Sequence, residues 1–353
     1  MNSECQGMKA IVYRGFGSPA ILKYEEIAKP TPANDEVLIR VRTASLNPVD
    51  WRLMRGGPLL VRMLFSSRAP KIKQPGVDVA GEVEAVGKEV TQFKPGDAVF
   101  GLCRGAFSEY ACAHPSKLAL KPAQVSFEQA ASIPVAALTA LQGLRDKGQL
   151  QPGQEVLVNG ASGGVGTFAV QLAKHLGARV TAVCSTQNLE MVRSLGADEV
   201  IDYTRQDFTR NGRRYDVILD CVGNHSAWAC RRALNPQGIC AIAGAPKEFR
   251  KILALMLQAF LLPRFVRQKF VMYLAKMNQP DLNLIADLIA RGKVTPVIDR
   301  RYRLNHVPEA VAYLEQGHAR GKVIMTLENG SAEQKAAGRT DTALAEEPKW
   351  ARN

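Results

Sequence analysis

A buried strand that runs through a glycine-rich turn into a helix is the feature that most constrains this chain. Residues 155–177 read EVLVNGASGGVGTFAVQLAKHLG, and Val156–Val158 predicts the strand. The turn consists of Ala161, Ser162, Gly163, Gly164, Val165 and Gly166. Glycine at 163 lets the backbone approach a pyrophosphate, glycine at 166 lets the helix lie close to the strand, and the N–H groups at the helix start hold the anion. The pattern therefore predicts a dinucleotide-binding crossover rather than a turn without a ligand.

The residues that follow continue this pattern, because apolar strands alternate with helical stretches. Strands that are apolar on both faces are typical of a parallel sheet covered by helices. We therefore predict an α/β fold with a Rossmann-type, doubly wound parallel sheet over residues 131–280. The predicted strands are Arg179–Cys184, Glu199–Tyr203, Tyr215–Cys221 and Gly238–Gly244, and the predicted helices are Asn188–Leu195 and Ala227–Leu234.

The end of the second strand indicates which dinucleotide is bound. An NAD site usually places Asp or Glu there, to bind the ribose 2′-hydroxyl. This chain has Ser185, whose hydroxyl can donate to a 2′-phosphate, and Tyr203 and Arg205 could add donors. NADPH is therefore the predicted cofactor, although Gln187 in the same loop supplies no positive charge. Ordinary helix capping by Ser185 and Thr186 remains an alternative, compatible with phosphate binding.

With these motifs, the chain resembles the medium-chain dehydrogenase/reductase superfamily from Met8 to about Leu327. Within it, the chain is most similar to the zinc-independent quinone oxidoreductases, a branch that includes enone and alkenal reductases. The resemblance rests on several motifs in the right order, which are much more specific together than any one alone. Besides the glycine turn they are Met8–Ala10, Ala44–Asp50, Pro75–Gly81, Phe93–Val99, Ala137–Ala140 and Gly321–Val323.

The resemblance also bears on metal binding. The zinc alcohol dehydrogenases of this superfamily hold their catalytic zinc with Cys, His and Cys at the positions that look like Asn47, Val77 and Val135 here. Zinc binds thiolate, imidazole or carboxylate groups, so these three residues are not a normal ligand set. A structural zinc lobe needs four closely spaced cysteines, and only Cys103 and Cys112 lie in that region. We therefore expect no metal, and with no Lewis acid simple alcohol oxidation becomes less favoured.

Reduction of a quinone or an activated C=C bond fits a metal-free site better, because conjugation to a carbonyl already makes the acceptor carbon electrophilic. The resemblance places Asn47 at the nicotinamide and substrate carbonyl, Thr139 at the nicotinamide amide and Asp78 in the cleft. Each has a structural alternative: Asn47 as a turn residue, Thr139 as a helix-surface hydroxyl, and Asp78 as a cap or ion-pair partner. No residue stands out as the proton donor.

The resemblance implies further cofactor contacts from backbone that follows the later strands. These contacts are Cys221, Val222, Ala243, Gly244 and, in the last motif, Lys322. Two other functions remain open. One is a metal-free aldehyde or ketone reductase, and the other is an NADPH-binding regulatory or membrane-associated protein with little turnover, because related folds serve different ends.

The first 130 residues contain short strands broken by Gly and Pro, which indicate a partly closed β-barrel. The resemblance implies a GroES-like catalytic domain here, formed by residues 1–130 and 281–328. Residues 329–353 are poor in branched apolar side chains, and we expect a disordered tail. The predicted strands are Lys9–Tyr13, Glu36–Ala44, Gly81–Val86, Ala98–Phe100, Glu109–Ala113 and Lys322–Leu327, with a helix at Val307–Glu315.

Composition narrows the partners and the compartment. The seven cysteines are odd in number and scattered, and the N-terminus lacks signal or transit character, so a reducing cytoplasm is expected. The net charge of +13 is not gathered in an arginine-rich run with interleaved aromatics, so we expect no specific nucleic-acid partner. The expected partners are a small apolar quinone or enone and a second copy in a homodimer.

One segment departs from a minimal reductase. Ile252–Leu262 has a single polar residue in eleven, Gln258, and basic residues flank it. It is too short to span a membrane, which needs about 20 apolar residues. We interpret it as a buried helix, a lid over an apolar acceptor, or an interfacial helix in peripheral contact with a membrane. A second apolar and basic stretch, Arg55–Lys73, could face the same cleft and favours a large hydrophobic acceptor.

Overall fold

A parallel sheet and a mainly antiparallel sheet organise the part of the chain described by the computed structural model, residues 6–56, 72–244, 253–254, 256–258 and 266–327. The strands in chain order are β1 (Gly7–Val12), β2 (Lys23–Ala28), β3 (Val37–Leu46), β4 (Asp78–Val86), β5 (Ala98–Leu102), β6 (Tyr110–Ala113), β7 (Leu118–Leu120), β8 (Glu155–Asn159), β9 (Arg179–Cys184), β10 (Glu199–Asp202), β11 (Tyr215–Asp220), β12 (Leu234–Ile242), β13 (Lys269–Met272), β14 (Ile298–Arg303) and β15 (Lys322–Thr326). The α-helices are α1 (Pro48–Arg55), α2 (Phe127–Ser132), α3 (Pro134–Gln142), α4 (Gly164–His175), α5 (Leu189–Ser194), α6 (Ala227–Arg232), α7 (Gln279–Ala290) and α8 (Val307–Gln316). Single 3-10 turns lie at Pro19–Ile21, Pro115–Lys117, Thr186–Asn188 and Leu304–His306, and a π-helical turn at Gly143–Lys147.

The six-stranded parallel sheet has the strand order β10-β9-β8-β11-β12-β13. This is the doubly wound order of dinucleotide-binding folds, with β8 as its first strand. The order in which strands are added to the sheet changes side between β8 and β11, where Val217 pairs with Val156. Ligands of such sheets bind in the crevice at this switch point. The prediction of a doubly wound parallel sheet is confirmed.

One sequence expectation inside this sheet needs correction, and one strand was not predicted. The helix predicted to reach Leu234 ends at Arg232, and Leu234 opens β12, whose register with β11 shifts between Tyr215 and Val217. The strand that was not predicted is β13, which pairs in parallel with β12. A short apolar run does not distinguish a strand from a helix by periodicity alone.

The mainly antiparallel sheet has the order β14-β15-β3-β4-β5-β7, with β6 also pairing with β3. β15 pairs with β3 through Val323 and Leu46, so this sheet takes strands from both ends of the chain. It is the GroES-like part of the fold, and it brings the last strand next to the first helix. The division into residues 1–130 with 281–328 and residues 131–280 stays a prediction.

Two of the hydrophobic cores hold the two sheets in place. One core fills the space between the parallel sheet and helices α3, α4 and α7, with Leu138, Phe168 and Ile285 fully buried. A second core lies inside the antiparallel part and includes Ile39 and Phe107. The first core also includes Ala80, Phe100 and Ala119 from the antiparallel sheet, so the two parts of the fold share packing contacts.

Several predicted segments lie wholly or largely outside the described residues, among them the tail at 329–353 and most of Arg55–Lys73. Of the apolar segment, Leu253, Met256 and Leu257 are described, and each is more than half exposed. In the single chain these three side chains therefore do not form the buried helix that was one interpretation. In the described ranges no helix is long and apolar enough to cross a membrane.

Candidate active site

The glycine turn lies at the switch point between β8 and β11. The N–H groups of Gly160 and Ala161 both donate to the carbonyl of Val183, at 3.2 and 3.0 Å, which ties the turn to the end of β9. A Cβ at Gly166 would lie 2.1 Å from the Gly160 carbonyl oxygen, so only glycine lets α4 approach the strand this closely. A Cβ at Gly163 would meet only the Gly160 carbonyl oxygen, at 3.5 Å, which is an ordinary van der Waals contact.

These features fit a bound dinucleotide. Gly163 precedes α4 with extended backbone and no side-chain cap, so the first N–H groups of the helix keep their donors for a ligand. The helix start offers these donors together with its partial positive charge, which is the chemistry that holds a pyrophosphate. The turn at residues 161–166 thus has the geometry expected of an anion cradle.

Backbone from two neighbouring strands closes the other side of the crevice. The Asp220 side chain accepts N–H bonds from Val222 and Gly223 at 3.0 and 2.9 Å, and the Asp220 carbonyl accepts bonds from Ala243 and Gly244 at 2.9 and 3.0 Å. The structure therefore brings together Cys221, Val222, Ala243 and Gly244, as the resemblance implied. A Cβ at Gly244 would lie 2.4 Å from the Val222 nitrogen, so the two segments touch through backbone.

A buried polar cluster lies where the two sheets meet. Lys322 at the start of β15 is 3% exposed, and its Nζ donates to Asn47 Oδ1 at 2.7 Å and lies 3.3 Å from Asp78 Oδ2. Asn47 Nδ2 donates to the same Asp78 oxygen at 2.8 Å and to the Ser45 carbonyl at 3.3 Å. The second Asp78 oxygen accepts the Val135 N–H at 3.0 Å. Each member of the cluster is therefore held by at least two partners.

The cluster adjoins the glycine turn. A Cβ at Gly164, the first residue of α4, would lie 3.1 Å from Lys322 Cδ, so the lysine stem passes against the helix start. Lys322 thereby connects the anion cradle with Asn47 on the opposite side of the cleft. An ion pair buried this deeply is costly unless hydrogen bonds support it, and here Asp78 accepts bonds from Asn47, Val135 and Lys322, while Lys322 Nζ has two acceptors.

Thr139 lies on α3 with its hydroxyl proton already engaged. Its Oγ1 donates to the Val135 carbonyl at 2.7 Å, which leaves the oxygen lone pairs free to accept a bond. The Thr139 carbonyl accepts the hydroxyl of Tyr273 at 2.7 Å, and burial raises the pKa of that phenol, so it stays a donor. The sequence did not predict Tyr273, because its contact joins residues far apart in the chain.

Asp50 is a buried carboxyl that sequence reasoning also missed, although it belongs to the quoted motif Ala44–Asp50. Its Oδ2 accepts the Asn47 backbone N–H at 2.8 Å, which fixes the first turn of α1. Burial raises the pKa of Asp50 to about 7, a hydrogen bond from Asn47 opposes the rise, and the nearby charge of Asp78 adds to it. The signal in the sequence was the spacing of three residues typical of a capping box.

The raised pKa of Asp50 predicts a pH-dependent stability. The unfolded carboxyl ionises near 3.8, whereas the folded one keeps its proton up to about pH 7. The folded state thus binds more protons, so stability is lost as the pH rises toward 7. Between about pH 5 and pH 8, we expect the free energy of unfolding to fall by about 2–4 kcal/mol more in the native chain than in Asp50→Asn. Urea unfolding at several pH values measures this change. If the free energy of unfolding depended on pH equally in the two proteins, the prediction would be contradicted.

The positions that hold zinc in related alcohol dehydrogenases converge on this cluster. Asn47 and the Val135 N–H both bond to Asp78, the neighbour of Val77, so an amide and two aliphatic side chains stand at the three positions. These side chains lack the thiolates and imidazole that zinc needs, so the donor set does not fit that metal. Over the described ranges, no group of three or more His, Cys, Asp and Glu side chains is placed to hold a metal ion.

Hydroxyl groups surround the turn after β9. Asn188 Nδ2 donates to Ser185 Oγ at 3.0 Å and to Ser162 Oγ at 3.2 Å, which brings together two of the predicted cofactor residues. Tyr203 donates its backbone N–H to the Cys184 carbonyl at 3.1 Å, and its side chain is 57% exposed beside the same turn. Among the described residues, Asn188 Oδ1 is buried and finds no hydrogen-bond partner. An orphaned buried acceptor at this edge fits a site completed by a polar ligand.

Comparison with known proteins agrees with this geometry. Residues 195–325 match the family described as zinc-binding dehydrogenase, and residues 33–123 match the alcohol dehydrogenase GroES-like domain. The quinone-oxidoreductase homolog of spinach chloroplasts is 34% identical over 333 residues, 90% of this chain and 98% of that protein. The chloroplastic NADPH-dependent alkenal/one oxidoreductase of Arabidopsis thaliana is 36% identical, over 90% of this chain and 79% of that protein. A quinone oxidoreductase structure from Coxiella burnetii superimposes with a TM-score of 0.80 at 29% identity, covering 92% of this chain and all of that one.

Proposed function

Because this chain belongs to the medium-chain dehydrogenase/reductase superfamily, in its branch of zinc-independent quinone and enone oxidoreductases, we propose that it reduces quinones or activated C=C bonds with NADPH. The observation that carries the proposal is the buried cluster of Asn47, Asp78 and Lys322. It stands where the zinc enzymes of the superfamily keep their metal, and it abuts the glycine turn. Relatives named as a quinone-oxidoreductase homolog and as an NADPH-dependent alkenal/one oxidoreductase support the same reaction here.

The donor set supports a conjugated acceptor over a simple alcohol. Converting an alcohol to an alkoxide at neutral pH calls for a Lewis acid, and the side chains at 47, 77 and 135 do not fit zinc. A quinone or enone needs no such activation, because its carbonyl withdraws electrons from the carbon that accepts hydride. The protein then has to orient the acceptor and to stabilise charge on its oxygen.

We assign the contact with the acceptor to Asn47. Its amide makes two donor bonds, and the longer one, 3.3 Å to the Ser45 carbonyl, is the bond we propose is exchanged for the acceptor oxygen. The shorter bond to Asp78 and the Lys322 bond to Asn47 Oδ1 keep the amide plane fixed during this exchange. Lys322 and Asp78 are thus positioning residues that preorganise the donor, which is how polar sites lower a barrier most effectively.

The cofactor would be held along the crevice described above. The start of α4 would bind the pyrophosphate, and Ser162, Ser185 and Tyr203 would lie toward the adenosine ribose. The lone pairs of Thr139 Oγ1 would accept the carboxamide N–H, since its proton is given to Val135. When bound, NADPH supplies the hydride, and the protein excludes water and orients the acceptor.

The cellular compartment and the associations of the protein are also proposals. The free cysteines in the described ranges support a reducing compartment, and we propose the cytoplasm. A homodimer and a peripheral membrane contact through the exposed Leu253, Met256 and Leu257 are the associations we propose to test. The proposed substrate, a small apolar acceptor, is compatible with this compartment and with both associations.

A panel of acceptors tests the reaction. We expect NADPH oxidation, followed by cofactor absorbance, with quinones, enals and enones, and little with saturated aldehydes or ketones. Asn47→Ala is expected to lower the turnover number by about 100-fold, as loss of a carbonyl-oxygen donor does elsewhere. A protein that oxidises NADPH with no member of the panel would instead be the cofactor-binding regulator, and preference for saturated aldehydes would favour the metal-free carbonyl reductase.

A further inference from the structure

We propose that Arg320 is the residue that selects NADPH, by binding its 2′-phosphate from the domain of the antiparallel sheet. The inference rests on the proposed function, because it concerns the cofactor of that reaction. From the sequence, this role was assigned to Ser185 in the loop after β9, with Tyr203 and Arg205 as further donors, and Gln187 in that loop supplies no positive charge. The structure supplies an arginine to the same loop from a segment more than 130 residues further along the chain.

Arg320 reaches the turn that follows β9. Its Nη2 donates to the backbone carbonyl of Gln187 at 3.0 Å, two residues beyond Ser185. In doubly wound folds the residues after the second strand face the adenosine ribose. A guanidinium carries five N–H donors, so the group can hold this carbonyl and a phosphate oxygen at the same time. Arginine is also the side chain best suited to paired bonds with phosphate.

Hydrogen bonds on either side of Arg320 and the conformation of Gly321 fix the backbone from which the arginine side chain extends. The Arg320 N–H donates to Asp299 Oδ2 at 3.0 Å, and the Tyr313 hydroxyl donates to the same oxygen at 2.6 Å. Gly321 follows with φ of +113°, and a Cβ there would lie 2.3 Å from the Val297 carbonyl oxygen. The Lys322 N–H then bonds to that carbonyl at 2.8 Å.

The tripeptide Arg320–Lys322 therefore extends to both ends of the crevice. Lys322 passes the start of α4 and holds Asn47, while Arg320 lies at the turn after β9. One short segment of the antiparallel domain would thus lie near the nicotinamide ring at one end and near the 2′-phosphate at the other. NADPH would bridge the two domains at Arg320 through its 2′-phosphate. NADH lacks this phosphate and could not.

The hydroxyls at this turn suit an anion. Because Asn188 Nδ2 donates to the oxygens of Ser162 and Ser185, the protons of those hydroxyls are free to be donated. Both serines can then act as donors to phosphate or ribose oxygens. An arginine together with two oriented hydroxyls is the chemistry of a phosphate subsite.

Arg205 is the competing cation, and its surroundings are less favourable. Its Nε lies 3.7 Å from Asp202 Oδ2, so a carboxylate already balances its charge. That Asp202 carboxylate also accepts the Thr186 and Thr204 hydroxyls, and these bonds lower its pKa and keep it ionised. Within the described part of the chain, the side chain of Arg320 bonds to a neutral carbonyl and to no carboxylate, which leaves its charge for a ligand.

Calorimetric binding of NADP⁺, NAD⁺ and 2′,5′-ADP to the native chain and four variants tests the proposal without turnover. We expect Arg320→Gln to weaken NADP⁺ and 2′,5′-ADP by about 10- to 100-fold while NAD⁺ changes by less than about twofold. Arg320→Lys keeps the charge and should weaken NADP⁺ less than Arg320→Gln does. Arg291→Gln is the matched control, since this exposed arginine pairs with Asp287 on its own helix, and it should change nothing.

The possible results distinguish a failure of the role proposed for Arg320 from a failure of the proposed function. A native chain that prefers NADP⁺, with an Arg320→Gln variant that keeps this preference, would overturn the role of Arg320. Loss of the preference in Arg205→Gln would then move the subsite to that residue. A native chain that binds NADP⁺ and NAD⁺ equally would overturn the assignment of NADPH itself. Retained NAD⁺ binding and an unchanged melting temperature in Arg320→Gln exclude misfolding as the cause.

Discussion

Lys322→Met is expected to lower the free energy of unfolding by about 3–5 kcal/mol, because it leaves Asp78 as an unpaired buried carboxylate. Asp78 is fully buried, and Lys322 Nζ lies 3.3 Å from its Oδ2. The turnover number with a quinone or enone is expected to fall by about 100-fold as well, since Asn47 Oδ1 loses its 2.7 Å bond and the amide can rotate. Chemical denaturation and steady-state kinetics on the same preparation measure both effects.

A double variant separates the two effects. Lys322→Met combined with Asp78→Asn removes both charges, so most of the lost stability should return. Turnover should not return, because nothing then holds Asn47 Oδ1. If the double variant regained activity along with stability, the cluster would be a purely structural ion pair, and the role proposed for Asn47 would be wrong.

Gly163→Ala is expected to abolish most NADPH binding without harming the fold. The new methyl group meets nothing nearer than 3.5 Å, and the backbone φ of −83° suits alanine. The methyl would occupy the space where the backbone must approach the pyrophosphate, so we expect the dissociation constant to rise by at least about 10-fold. Fluorescence titration with NADPH and thermal melting measure these two properties.

Gly166→Ala is the contrasting variant three residues away. Its Cβ would lie 2.1 Å from the Gly160 carbonyl oxygen and 2.6 Å from Ala161 Cα, so α4 would have to move away from the strand. We expect a lower melting temperature together with weaker binding. If Gly163→Ala bound NADPH normally, or if the two variants were indistinguishable in stability, the turn would not hold the pyrophosphate in this way.

The cofactor half of the fold could be predicted from the sequence because its signals are local. The strand at 155–159, the glycine turn and the strand at 179–184 each follow from neighbouring residues. The strand at Lys269–Met272 was not predicted, because the apolar pattern around it did not distinguish a strand from a helix. The helix at Gln279–Ala290 was not predicted either, although Asn278 caps its start.

The site was predicted only in part, for a related reason. The motifs provided Asn47, Asp78, Thr139 and Lys322, but the bonds that unite them span up to 275 residues of sequence. Arg320 reaches Gln187 across 133 residues in the same way. Contacts of that kind depend on how two domains pack, and no local spacing encodes them. Residue chemistry could thus be predicted from the sequence, whereas the partners of each residue could not.

Hydride transfer to a conjugated carbon without metal is the central claim, and the position of a transferred label tests it most directly. The protein, treated with a strong chelator, is incubated with an α,β-unsaturated ketone and NADPH that carries deuterium at the transferred position of its nicotinamide. We expect full activity and a saturated ketone with deuterium on its β-carbon. Deuterium on the carbonyl carbon of an alcohol product, or activity that returns only with added zinc, would contradict the account.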